Sequence, residues 1–197
     1  MRWRIWVELT DSAGGISQHA LGDGVRDGVP SPETLGLSRT EGQGILAALQ
    51  QRVVQAQVRE HCRVRRPCGR CGALRPLKGH RYRQLMSVFG AVSVTAPRLE
   101  PCRCGVACRR SLTPAAELIP DGCTPDYERL LALLGSALPY RQAQTMLADL
   151  LPLDVVPDPE TIRRRTLRVG GRLDQEAERP AHRTPAAPVP AITLGMA

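Results

Sequence analysis

Two cysteine pairs, Cys68 with Cys71 and Cys102 with Cys104, bracket 30 residues of the chain and limit what that stretch can become. Four thiolates converging on one tetrahedral ion draw both ends of the intervening segment together, and a β-hairpin is the simplest element that returns to its start. Cys68-Gly69-Arg70-Cys71-Gly72 has the form of a zinc knuckle, in which glycine lets the backbone curl until both sulfurs reach an ion about 2.3 Å away. The spacing predicts a zinc ribbon, with structural zinc held by Cys68, Cys71, Cys102 and Cys104. Cys102-Arg103-Cys104 is tighter than a usual knuckle, so Cys108, and Cys62 six residues before Cys68, stay open as substitute ligands. Cys123 reads as a small buried hydrophobe. His61 and His80 flank the cluster and read as exposed polar residues, with completion of a Cys/His site as the alternative.

The same stretch concentrates the charge. Residues 62–112 carry 12 basic side chains and one acid, Glu100, whereas the whole chain has 27 Lys and Arg against 19 Asp and Glu, a formal charge of +8. A local excess of this kind favours a polyanion, because each neutralised phosphate releases condensed counterions. Double-stranded DNA is the expected partner, with Arg70, Arg75, Arg81 and Arg83 among the ribbon's phosphate contacts. Only six of the 197 residues are aromatic, so any core is aliphatic, and small metal-assisted modules fit better than one thick core. Seven cysteines, an odd number, with no signal peptide and no apolar run long enough to span a bilayer, point to a reducing compartment and no membrane partner.

The periodicity along the chain predicts an α+β protein. Trp3, Ile5, Val7 and Leu9 alternate with Arg2, Arg4, Trp6 and Glu8, the pattern of a half-buried strand. Asp11 to Gly15 makes a turn, and Ile16 to Leu21 returns as a second strand before a Gly-, Asp- and Pro-rich connection. Ser38-Arg39-Thr40-Glu41 is a capping box, and Ile45, Leu46, Leu49, Val53 and Ala56 form one stripe, giving a Gln-rich helix from Ser38 to about Glu60. That helix serves architecture, by packing on the hairpin or on a second copy of itself. Between the cysteine pairs, His80 to Val88 and Ala91 to Ala96 read as strands around Phe89-Gly90, with Tyr82, Met86, Val88, Val92 and Val94 as a thin core.

Beyond the ribbon the pattern turns helical. Thr113-Pro114 and Thr124-Pro125 place proline at a first helical position behind a capping hydroxyl. Tyr127, Leu130, Leu131, Leu134 and Leu138 form one seam, and Ala143, Met146, Leu147 and Leu150 mark the inner face of a helix from Tyr140 to Leu151. A third helix starts at Pro159 behind Asp158, with Ile162, Thr166, Val169 and Leu173 on one side. Arg164 and Arg168 lie opposite, and Arg163 and Arg172 on the flanks. This arrangement resembles a helix-turn-helix, although the 151–158 connection exceeds the usual three or four residues. Arg141, Arg163, Arg164 and Arg168 are its candidate DNA contacts, and pairing with Asp174, Glu176 and Glu178 is the competing use of these arginines. The expected divisions are residues 1–60 (hairpin and long helix), 61–112 (basic zinc ribbon), 113–179 (helix-turn-helix-like bundle) and 180–197 (a disordered tail of Pro-rich linker and the start of a further strand).

Taken together, these features resemble the bacterial ISKra-type insertion-sequence transposases, in the region ahead of their catalytic domain. The matching stretches are Met1-Arg2-Trp3-Arg4-Ile5-Trp6-Val7-Glu8-Leu9, Gly36-Leu37-Ser38, Cys68 to Cys71, Phe89-Gly90-Ala91-Val92, Pro97-Arg98-Leu99 and Cys102-Arg103-Cys104. Further on they are Leu138-Pro139-Tyr140-Arg141, Thr161-Ile162-Arg163-Arg164-Arg165 and Val169-Gly170. The resemblance implies binding of the element's terminal repeats in DNA transposition. It further implies a bacterial, cytoplasmic, nucleoid-associated setting, and a homodimer or the full-length transposase as partner. In that family an apolar strand carrying the first catalytic Asp follows the Pro-rich linker, and here Ala191-Ile192-Thr193-Leu194-Gly195 begins that strand. The expectation is therefore a truncated, non-catalytic transposase. A stand-alone zinc-ribbon and helix-turn-helix transcription regulator is the alternative.

Overall fold

The computed structural model describes residues 1–29, 31–104, 111–153 and 155–178. They form an α+β fold with two separate two-stranded antiparallel sheets and five α-helices. Cys108, Arg109, Arg110, Asp154 and the linker expected over 180–197 lie outside the described residues.

The alternating N-terminus forms β1 (Arg2–Thr10), paired with β2 (Ile16–Val25). Asp11 Oδ1 closes the turn by accepting from the backbone N–H groups of Ala13 and Gly15 at 2.9 and 2.7 Å. Strand β2 runs four residues beyond the Leu21 expected from its sequence, because Arg2 to Ile5 supply ladder partners for Gly22 to Val25. Glycine is required there by close approach. A Cβ on Gly24 would lie 2.5 Å from the Trp3 ring, so the indole covers the strand directly.

Helix α1 (Arg39–Arg65) opens on the capping box that its sequence announces. The Glu41 backbone N–H donates to Ser38 Oγ at 3.2 Å, and the Ser38 N–H donates to Glu41 Oε2 at 2.8 Å. The helix runs on past Glu60, and its buried stripe is Val54, Val58 and Cys62 rather than the five residues expected. The reason is that α1 serves two sheets in turn. Its N-terminal half meets β2, where Ile45 sits against Gly22, and its C-terminal half covers the second hairpin.

That hairpin is β3 (Leu77–Ser87) and β4 (Gly90–Leu99), each longer than the strands expected from sequence. Its inward face, Leu85, Val92, Val94 and Ala96, packs with Val54, Val58 and Cys62 of α1 and with Ala115 and Ile119. Tyr82 does not join this core as expected. It is 82% exposed, and Leu85 takes its place, because the side facing α1 is fixed by the register Leu85↔Val92. Ala115 belongs to α2 (Ala115–Leu118), a four-residue helix capped by Pro114 with no side-chain bond, so the Thr113 hydroxyl does not cap it. At Thr124 the expectation holds: its hydroxyl accepts from the Tyr127 N–H ahead of α3 (Pro125–Ala137).

Helices α3, α4 (Tyr140–Leu150) and α5 (Pro159–Glu178) enclose a second core of Tyr127, Leu131, Ala143, Leu147 and Ile162. Three residues expected inside lie at the surface: Met146, Leu150 and Leu173. On α4 the core-facing positions are Ala143 and Leu147, and Met146, between them in sequence, is turned to their flank. Close approach of α3 and α5 depends on Gly135, whose missing Cβ would stand 2.3 Å from Thr166 Oγ1.

Both edges of the β3–β4 hairpin find partners at particular residues. Along the free edge of β4, the Gln51 side-chain amide donates to Ser93 O (2.7 Å) and accepts from Ser93 N–H (2.9 Å). One helical turn later Gln55 makes the same pair of bonds to Thr95, both 3.0 Å. Leu99 exchanges two backbone bonds with Leu112. On the β3 edge, Met86 N–H donates to Gly122 O, and Met86 O accepts from Thr124 N–H. The side-chain amides thus substitute for a missing strand.

Candidate metal centre

The open end of the β3–β4 hairpin gathers four sulfurs. Ahead of β3, the chain turns tightly at Cys68, where Gly72 N–H donates to Cys68 O (2.8 Å) and Cys68 N–H to Ala73 O (2.9 Å). Gly72 takes φ +71°, the left-handed conformation that glycine adopts at little cost. Beyond β4, Glu100 N–H donates to Pro76 O and holds the second pair beside the first. The Sγ atoms of Cys68, Cys71, Cys102 and Cys104 all lie within 4.8 Å of one another. Two contacts are shorter, Cys68 to Cys104 at 3.7 Å and Cys71 to Cys102 at 3.4 Å. All four are free thiols, and the group can hold a metal ion.

The electrostatics of the four thiols are unequal. Backbone N–H groups of Arg70 and Cys71 donate to the Cys68 sulfur and hold its pKa down to about 6. The Cys104 thiol is pushed up to about 12, first by Cys102 and then by Cys68 and Cys71. One thiolate is thus favoured by local donors, while the last to ionise meets its neighbours' negative charge. A cation at the centre removes that repulsion, and binding it releases protons.

Cys62 is not part of this group. It lies 4% exposed on the core-facing side of α1, where burial pushes its thiol pKa up. Cys123, expected to be simply buried, is half-buried and accepts from Arg165 Nη1 at 2.9 Å. His61, half-buried rather than exposed, lies 3.5 Å from the Glu117 carboxylate, which also takes Arg65, and His80 is exposed on β3.

The arginines singled out by sequence divide by partner. Arg70, Arg81, Arg141 and Arg164 are exposed, and no carboxylate among the described residues pairs with them. Arg83 reaches Ile119 O at 3.5 Å, and Arg75 is half-buried with its Nε unpartnered. On α5, Arg163 pairs with Glu160 at 2.8 Å and Arg168 with Asp121 at 2.6 Å. Arg165 and Arg172 both reach Glu128 of α3, a carboxylate on a residue only 5% exposed. The acids at the end of α5, Asp174, Glu176 and Glu178, are not the partners; those used are Glu160 in the first turn of α5, Asp121 before α3 and Glu128 within it. The signal was present in Asp121 and Glu128, seven residues apart, but only tertiary packing shows that they face α5.

A scan against protein-family models and a search of curated proteins find no match for this chain. Among the described residues no helix is long and apolar enough to cross a membrane.

Proposed function

We propose that this chain binds double-stranded DNA through a zinc ribbon and an adjoining helical bundle, as the terminal-repeat-binding portion of an insertion-sequence transposase. The observation that carries the reading is the convergence of four thiols at the open end of a hairpin within the most basic segment of the chain. Thiolate ligands favour a soft or borderline ion, and four of them in a closed group suit structural zinc. With zinc–sulfur bonds of about 2.3 Å, tetrahedral geometry sets sulfurs about 3.8 Å apart. The 3.7 Å and 3.4 Å sulfur–sulfur contacts lie close to that spacing. A closed tetrathiolate leaves no open position for substrate, so its contribution is rigidity. It fixes Arg70 and Arg103 of the two cysteine loops, with Arg81 on β3, as an exposed cationic end.

The transposase assignment rests on the order of sequence features, and the helix-turn-helix reading of α4 and α5 on two consecutive helices, separated by the eight residues 151–158, with Arg141, Arg163 and Arg164 at the surface. The test uses cobalt substitution together with duplex binding. Cobalt-loaded protein is expected to give the absorption of four-sulfur tetrahedral coordination. Metal-loaded protein is expected to bind a duplex carrying the element's terminal repeat more tightly than a scrambled duplex. A spectrum of fewer than three sulfurs refutes the metal centre, and equal affinity for both duplexes refutes repeat recognition.

A further inference from the structure

The edge of β4 is filled at Ser93 by Gln51, at Thr95 by Gln55 and at Leu99 by Leu112, and it is left open at Pro97. Each four-residue step along α1 advances about 6 Å, close to the rise of two strand residues, so the side chain that follows Gln51 and Gln55 in this register is Arg59, opposite Pro97. Proline has no N–H to offer, and arginine has no acceptor, so the ladder stops there. In its place is a groove of about 580 Å³ between α1 and the hairpin.

The groove has the composition of an anion site. Arg59, Arg63, Arg66 and His80 stand around it, Pro97 and Leu99 are among its apolar walls, and none of its lining residues is acidic. Arg63 is engaged by Glu60 at 2.7 Å. Arg59 and Arg66 are exposed, and no carboxylate among the described residues lies within ion-pair distance of either. Arg66 is tethered through Nε to Arg75 O at 3.2 Å, which leaves its terminal nitrogens available.

We infer that this groove seats a phosphodiester of the DNA backbone, with Arg59 and Arg66 flanking the phosphate and the apolar walls receiving the sugar. The inference rests on the DNA-binding reading and assigns to it a contact surface on α1 and β4. Two guanidiniums on one face fit the planar, paired recognition of phosphate oxygens. A polyanion also answers the surrounding field, since residues 62–112 carry 12 basic groups against one acid.

The test is fluorescence anisotropy of the full, metal-loaded chain with a labelled duplex of arbitrary sequence, titrated across a series of salt concentrations. Arg59→Gln with Arg66→Gln is expected to reduce the slope of log affinity on log salt by about two and to weaken binding at least about tenfold near 0.1 M salt. Arg59→Lys with Arg66→Lys is expected to keep most of the slope, and Arg129→Gln, an exposed arginine on α3, to leave binding unchanged. If wild type binds duplex and the double glutamine variant matches it, the groove assignment is wrong while DNA binding stands. If Arg129→Gln costs as much as the double variant, the effect is one of general charge and the groove is again refuted. If wild type binds no duplex at any salt, the DNA-binding reading itself fails, and the groove assignment falls with it.

Discussion

Replacing Gln55 separates a side chain that completes a sheet from one that is merely solvated. Its amide makes two 3.0 Å bonds to the backbone of Thr95, a half-buried residue, whereas Gln51 makes its pair to the exposed Ser93. At about 1 kcal/mol net per hydrogen bond, Gln55→Ala should cost about 2 kcal/mol and Gln51→Ala about 1, since water reaches the freed Ser93 groups. The two sites share one strand edge, so the double variant should depart from additivity. Gln55→Glu is the sharper perturbation. A carboxylate can accept from Thr95 N–H but has nothing to donate to Thr95 O, and it sets two oxygens against each other. It should therefore destabilise at least as much as alanine, although adding a negative charge to a chain of +8 would favour it on net charge alone. Denaturant midpoints at fixed metal concentration, with unchanged m-values, give the free energies. Exchange of the Ser93 and Thr95 amides reports the site directly. A Gln55→Glu protein as stable as wild type, with Thr95 exchange unaltered, would refute the side-chain ladder.

Gly135→Ala should destabilise by about 1–2 kcal/mol, because its Cβ meets Thr166 Oγ1, whereas Gly171→Ala, with open space around it, should stabilise by up to about 1 kcal/mol through helix propensity. Thermal melts of the two variants should move in opposite directions. Glu128→Gln should cost about 3 kcal/mol by leaving the poorly exposed Arg165 without its counter-charge, measured by urea unfolding. Glu41 is held down to about 2 from 4.5, first by Arg26 and then by the Ser38 backbone N–H. Its folded pKa lies below its unfolded one, so its contribution is complete above about 4.5 and lost as pH falls toward 2. Stability of Glu41→Gln should accordingly fall less than that of wild type across this window. Chelation should free the amides of Cys68, Gly72 and Glu100 to exchange while those of Val94 and Leu131 stay protected, because neither core includes a ligand of the cluster.

What the sequence made legible was governed by local rules. The capping box at Ser38, the knuckle glycine at Gly72, the turn after Thr10 and the convergence of the two cysteine pairs all depend on residues a few positions apart or on one covalent geometry. What it concealed depends on which partner an element finds. The stripe of α1 was misplaced because one helix covers two hairpins, so no single face carries every apolar residue. Tyr82 was expected inside because alternation identifies two faces without saying which one meets α1. The role of Gln51 and Gln55 shows only when their four-residue spacing is set against the two-residue spacing of Ser93 and Thr95.

The arginines of α5 and those of the ribbon differ in how far their charge is compensated. On α5, Arg163, Arg165, Arg168 and Arg172 each meet a carboxylate of Glu160, Glu128 or Asp121, so most of that helix's positive charge is neutralised within the bundle. Among the described residues of the ribbon, only Arg63 and Arg65 are paired in this way, and their partners Glu60 and Glu117 come from outside the basic segment. Arg70, Lys78, Arg81 and Arg103 remain exposed with no carboxylate partner among those residues. A polyanion approaching this chain therefore meets its strongest uncompensated field at the hairpin and the C-terminal half of α1. For α5 to bind phosphates with the same four arginines, it would first have to break these ion pairs, two of which, Arg165 and Arg172 with Glu128, tie it to α3. On the proposed DNA-binding reading, phosphate affinity should accordingly follow the hairpin and α1, with Arg141 and Arg164 the arginines that α4 and α5 still offer without a carboxylate partner among the described residues.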